Sequence, residues 1–139
     1  MIVLDTNVMS AMMTLDSEPE VLHWLRHQNP RELAVPAPTL FEIRFGIEIK
    51  PAGRRRRSLE AALGEVLALL DNRILPFDGR AAALAAQVRA RQKKVGRTVE
   101  IPDSLIAGVA LSFDAAIATR NVAHYQQTAL VVINPWHGR

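Results

Sequence analysis

The chain has 139 residues and no cysteine, which excludes disulfides, iron–sulfur clusters and thiolate zinc sites and suits one domain with its own core. Hydrophobic residues make up 49% and charged residues 22%, a globular balance that argues against disorder, and no apolar run approaches the roughly 18 residues that span a bilayer. Lys and Arg number 17 against 14 Asp and Glu, so the net charge of +3 excludes little by itself.

Ile2-Val3-Leu4 is a short apolar run ending in Asp5-Thr6-Asn7, which predicts a buried strand and a turn. The carboxylate at position 5 stands where a signal peptide needs its apolar stretch, so the expected location is the cytoplasm. Val8 to Met13 predicts a short helix. Ser17-Glu18-Pro19-Glu20 has the spacing of a capping box, and the helix it opens should stop before Pro30. Leu33 to Pro36 predicts a second strand. Pro38-Thr39 opens a helix that Pro51 and Gly53 break, and another helix runs from about Arg55 to Leu70.

Ile74 to Phe77 predicts a strand, and Asp78 caps a helix that continues to about Lys94. After Gly96 and a loop, Pro102 starts a helix through Leu111. Its Ala107, Gly108 and Ala110 suit close packing against a sheet. Ala115 to Thr119 and Leu130 to Ile133 predict two more strands, separated by a short helix that Asn121 caps. Strands alternating with helices imply one α/β domain over residues 1–139, with a mostly parallel sheet and right-handed crossovers.

Three acids carry candidate chemistry. Asp5 follows the first strand, where parallel α/β sheets bind ligands; it either holds a cation or caps the next helix. Glu42 lies three residues after Thr39, a second capping-box spacing, yet Phe41, Ile43 and Phe45 make its turn apolar enough to bury it in part, and a buried carboxylate needs a partner such as a metal. Asp103 follows Pro102 in a first helical turn, a position the helix dipole favours anyway. Glu100, in the loop before it, adds a fourth carboxylate or is solvated. Together these acids describe a hard oxygen site suited to Mg²⁺ or Mn²⁺. His23, His27, His124 and His137 lack paired metal spacing and read as surface residues.

Cations cluster in two stripes. Lys50 and Arg54, Arg55, Arg56 and Arg57 form one, and Arg89, Arg91, Lys93, Lys94 and Arg97 the other, with no acid in either segment. The rest of the chain is acidic, so the stripes are candidate contacts to a phosphate backbone, or else solvated helix faces. Aromatic content of 5% does not suggest base-stacking platforms.

Ile2-Val3-Leu4-Asp5-Thr6-Asn7 is similar to the opening of PIN domains. Pro38-Thr39-Leu40-Phe41-Glu42-Ile43-Arg44-Phe45-Gly46-Ile47 resembles their second acidic motif, and Pro102-Asp103-Ser104-Leu105-Ile106-Ala107 the third. Ala118-Thr119-Arg120-Asn121-Val122 resembles the fourth, and Val132-Ile133-Asn134-Pro135-Trp136 the terminal strand. The branch resembled is the VapC-type bacterial toxin ribonucleases, including the FitB-like subgroup.

The resemblance implies a three-layer α/β/α sandwich around a sheet of about five short strands. It also implies a metal-dependent endoribonuclease leaving 5′-phosphate and 3′-hydroxyl ends, the toxin of a toxin–antitoxin pair. The family's metal positions carry over to Asp5, Glu42 and Asp103, with Mg²⁺ or Mn²⁺ as cofactor. Thr6 and Thr119 match supporting hydroxyl positions. Asn121 stands where the family often has an aspartate, which weakens the case for a second metal. His124 stands where relatives often have an acid. Arg120 contacts phosphate or pairs with a carboxylate. Implied partners are RNA, a cognate antitoxin and a second copy of the chain through helices 39–49 and 55–70, with operator DNA reached only through the antitoxin and no membrane. The alternative is a binding module that acts chiefly with its antitoxin on DNA. A haloacid dehalogenase start would need an acid at position 7, where this chain has Asn7.

Overall fold

Short runs of branched and small apolar residues become the strands β1 (Ile2–Leu4), β2 (Leu33–Pro36), β3 (Ile74–Leu75), β4 (Ala116–Ala118) and β5 (Val132–Ile133). The structure is a computed structural model and describes residues 1–137. All five strands lie parallel in the order β3-β2-β1-β4-β5. Ile2 pairs with Leu33 on one side and Ala116 on the other, and Val3 with Ala34 and Ile117. The pleat sends Leu4, Leu33, Val35 and Ala118 to one face and Val3, Ala34 and Ile117 to the other. The sheet therefore has two buried faces and needs a helical layer on each.

Those layers are α1 (Thr6–Met12), α2 (Pro19–Arg26), α3 (Ala37–Glu48) and α4 (Arg54–Leu69) on the first face. On the second lie α5 (Gly79–Lys94) and α6 (Ile101–Ser112). Handedness explains the division. From β1 to β2 to β3 the chain steps in one direction, so right-handed crossovers put α1 to α4 on one face. The step from β3 to β4 reverses past β1, so α5 and α6 fall on the other. The expected three-layer α/β/α architecture is what forms, with every strand pairing parallel. Among the described residues no helix is long and apolar enough to cross a membrane.

Local expectations meet tertiary contacts in several places. Asp78 caps α5 as expected, its Oδ1 accepting the Ala81 N–H at 3.0 Å. Neither capping box forms. Ser17 lies in a 3₁₀ turn, Leu15–Ser17, and donates back to the Thr14 carbonyl, so Glu18 occupies the start of α2. Thr39 sits inside α3, and its hydroxyl donates to the Leu4 carbonyl at 2.9 Å. That bond ties the first turn of α3 to the end of β1. Glu42 is partly buried as expected, though not by its aromatic neighbours: Phe41 and Phe45 are exposed and stack on each other, while Ile43 alone of the three points into the core. Gly108 packs against α5 rather than the sheet, since a Cβ there would stand 2.4 Å from the Ala81 carbonyl oxygen. The segment after Asn121 is a 3₁₀ turn, Val122–Tyr125, without a side-chain cap from Asn121.

Candidate active site

The strand order reverses between β1 and β4, and at such a switch point the loops leaving the two strands diverge and open a crevice beyond their carboxyl ends. Asp5 leaves β1 and Thr119-Arg120-Asn121 leaves β4 at this crevice. The Asp5 N–H donates to the Ala118 carbonyl at 3.0 Å, locking the two exits together. The second turn of α3 delivers Glu42 from one side, and the first turn of α6 delivers Asp103 from the other. Asp5, Thr6, Glu42, Glu100, Asp103, Asn121 and His124 line one groove of about 500 Å³.

Asp5 is the acceptor hub and is 2% exposed. Its Oδ1 accepts the Thr6 N–H at 2.7 Å. Its Oδ2 accepts from Thr119 Oγ1 at 2.7 Å, Tyr125 OH at 3.1 Å and Asn7 Nδ2 at 3.4 Å. Thr119 Oγ1 in turn accepts the Asn121 N–H at 3.0 Å. Thr6 Oγ1 donates to Glu42 Oε1 at 2.5 Å. The expected supporting hydroxyls, Thr6 and Thr119, thus each touch a candidate acid.

Asp103 is partly buried. Its carboxyl is raised above the usual carboxylate range, first by burial and then by the negative charge of Asp5, with Glu42 adding to it and His124 opposing. His124 Nδ1 lies 2.7 Å from Asp103 Oδ2, a close contact rather than an aligned hydrogen bond. Tyr125 OH, which donates to Asp5 at 3.1 Å, also lies 3.5 Å from Asp103 Oδ1 and so sits between the two acids. Burial, then the charges of Asp5 and Asp103, hold this phenol far above its ordinary range, so it stays protonated and donates.

Three participants escape local sequence reading. His124 lines the groove against Asp103, correcting its assignment to the surface. Tyr125, the only tyrosine in the chain, and Asn7 both reach Asp5. Asn7 had a faint signal in its place two residues beyond the strand-end acid; Tyr125 had none in spacing.

The basic residues divide. Arg55 and Lys50 line an adjoining groove of about 480 Å³ that shares Thr6 and Glu42 with the acidic one. Arg54 and Arg57 are exposed beside it. Arg56 is engaged within the fold: it pairs with Glu48 at 3.0 Å and donates to the carbonyls of Glu48 and Lys50, clamping the end of α3. Arg89, Lys93 and Arg97 line a separate pocket of about 270 Å³ that shares no lining residue with the acidic groove. Arg97 is committed to the Ala123 carbonyl and the Gln126 side chain. Lys94 is exposed at the end of α5. Arg120 pairs with no carboxylate at salt-bridge distance among the described residues; its guanidinium lies over the Trp136 ring, 4.8 Å from the centroid.

Carboxylates converging beside one another without a matching cation are suited to a hard divalent ion. The charges of Asp5 and Glu42 are felt at Asp103, so the donor set fits such an ion electrostatically. Among the described residues no three acidic or imidazole groups stand ready to clasp a single ion, Glu42 being turned onto Thr6 and Asp103 onto His124.

A doubly wound α/β domain with an acidic groove at its switch point defines the class. Residues 2–129 match the PIN domain family, and the chain belongs to it. It is 39% identical to the VapC ribonuclease Y4jK of Sinorhizobium fredii (strain NBRC 101917 / NGR234) over 137 residues, 98% of each chain. It is 33% identical to Toxin FitB of Neisseria gonorrhoeae (strain ATCC 700825 / FA 1090) over 138 residues, 99% of each. The solved structure of FitAB bound to an IR36 DNA fragment superposes with a TM-score of 0.87, at 33% identity, covering all of this chain and 98% of that one.

Proposed function

We propose that this protein is a divalent-metal-dependent endoribonuclease, the toxin of a VapBC-type toxin–antitoxin module. The observation that supports this best is Asp5, buried at the switch point and fixed by four donors, with Glu42 and Asp103 facing the same groove. In this reading Asp5, Glu42 and Asp103 hold Mg²⁺ or Mn²⁺, and Asn121 contributes an uncharged amide. A cation held there supplies positive charge that eases deprotonation of water and offsets charge developing on the phosphoryl oxygens.

The chain's own groups do the positioning. Thr119, Asn7 and Tyr125 fix Asp5, and Tyr125 keeps its single proton for that bond, with Asp103 3.5 Å away at the edge of its reach. Thr6 restrains Glu42. Arg55 and Lys50 extend a cationic wall for the RNA backbone away from the acids, which alone would repel it. The relatives named as a VapC ribonuclease and as a FitB toxin, and the FitAB complex on DNA, support an antitoxin partner and operator binding through it.

The test is cleavage of a mixed RNA pool by antitoxin-free protein with Mg²⁺ or Mn²⁺, with EDTA, and by Asp103→Asn protein. Cleavage that needs the metal and disappears in the variant supports the reading. Absence of cleavage from folded protein would leave the binding-module reading, which Asn121 at the fourth acidic position favours, and would make operator binding with the antitoxin the next measurement.

A further inference from the structure

Beside the acidic groove, and sharing Asn121 and His124 with it, lies a cavity of about 560 Å³ whose wall includes Arg120, Asn134 and His137. The exposed Arg120 carries its guanidinium carbon over the ring of Trp136, 4.8 Å from the centroid, and Trp136 is only 6% exposed. The indole is fixed in turn. Its Nε1 donates to Glu18 Oε2 at 2.9 Å, and the Trp136 N–H donates to Asn134 Oδ1 at 2.9 Å. Arg120 is anchored as well: its backbone N–H donates to Asn7 Oδ1 at 2.9 Å, and Asn7 reaches Asp5 through its other amide atom at 3.4 Å. The main chain that carries this cation is thus tied through Asn7 to the central acid of the site.

We propose that the open face of Arg120 is a stacking platform for a single RNA base next to the phosphodiester that is cut. The inference rests on the endoribonuclease reading and names how that site takes its substrate. Guanidinium planes stack on unpaired bases, and a cation–π partner beneath holds the plane in place. The low aromatic content masks this platform, because its upper surface is an arginine. A base lying there places its attached phosphate toward Asn121 and the acids, since Asn121 and His124 form the wall that the cavity and the groove share. The platform thereby selects single-stranded RNA over paired RNA, whose bases are already stacked.

The experiment uses RNA oligomers carrying 2-aminopurine at successive positions, titrated in EDTA with Asp103→Asn protein so that binding is read without cleavage. One position is expected to be quenched more than the others, and the Arg120→Lys change, which keeps the charge but not the plane, is expected to remove that quenching. An abasic residue at that position should weaken binding about tenfold with Arg120 present and hardly at all with lysine. Quenching that is uniform along the RNA, or unchanged by Arg120→Lys, overturns the proposal. So does an Arg120→Lys effect confined to antitoxin affinity, which would assign the platform to the partner protein. Cleavage of the same oligomers by unaltered protein with Mg²⁺ is read separately. Quenching without cleavage keeps the base site and refutes the nuclease, and cleavage without position-specific quenching does the reverse.

Discussion

Gly108→Ala tests whether the site depends on the contact between α5 and α6. A methyl group at position 108 would meet the Ala81 carbonyl oxygen at 2.4 Å, Ala85 Cβ at 2.7 Å and Ala85 N at 2.9 Å. Ordinary carbon contacts are about 3.5–4.0 Å, so the helices must part by about 1 Å. Two of the three obstructing atoms are backbone, so no rotamer change relieves them. Overpacking of this kind is destabilising by about 1–3 kcal/mol, and the better helix propensity of alanine returns roughly 0.5–1 kcal/mol. With all three contacts below 3.0 Å the cost lies at the top of that range, so the net loss is about 2 kcal/mol, and at about 3–5 °C per kcal/mol for a chain this long Tm falls by several degrees. Gly64 on α4 is the internal control, since a Cβ there meets nothing within 4 Å and Gly64→Ala should raise stability by roughly 0.5–1 kcal/mol. Circular-dichroism melting and urea titration of the three proteins measure the difference. Because α6 carries Asp103 in its first turn, RNA cleavage by folded Gly108→Ala protein should also fall, by up to about a hundredfold if the acid moves with its helix. A Gly108→Ala protein as stable as the unaltered one would refute the packing argument.

Other substitutions separate charge from architecture. Asp103→Asn should abolish cleavage yet raise the Tm of metal-free protein at pH 7. The folded state raises this carboxyl, so its stabilising share is present at low pH and is lost as pH rises from the unfolded carboxylate pKa through the folded one. The gain from asparagine should therefore shrink when melting is repeated near pH 4, and a gain independent of pH would contradict it. Asp5→Asn should also be inactive but less stable, by about 1–3 kcal/mol, because its Nδ2 would face Asn7 Nδ2, a donor that cannot become an acceptor; urea denaturation measures this. Arg54→Glu should stabilise the fold by about 0.3–1 kcal/mol in low-salt melts, since α4 begins with four arginines against its dipole. Arg55→Glu should weaken RNA binding and reduce its salt dependence by about one counterion, while Lys94→Glu should change neither.

How much of this was legible beforehand depends on whether a feature is made by neighbours in sequence or by strangers. The strands, the helices and the three acids are local, since alternation, punctuation by proline and glycine, and strand-end carboxylates can each be read within a few residues. The two basic stripes are local too, but their use is not. Arg56 is consumed by the end of α3 and Arg97 by the turn after Asn121, contacts that need the folded chain. Tyr125 reaches Asp5 across 120 positions, so nothing in its spacing could announce it, and Thr119, 114 positions from Asp5, was legible only through its place in a motif that resembles a family's. Thr39 and Glu42 show the distinction most sharply. Their spacing is that of a capping box, which would explain both residues without any function. In the fold the Thr39 hydroxyl is given to the Leu4 carbonyl, the last residue of β1 before Asp5, and Glu42 is held by Thr6, the first residue after it. A motif that reads as local helix capping is in fact a pair of long-range clasps on either side of the central acid. Removing the Thr39 hydroxyl should therefore loosen α3 from the end of β1, and Glu42 with it, rather than fray the helix, because α3 starts at Ala37 with no side-chain cap to lose; a lower Tm with unchanged helical circular dichroism would show this.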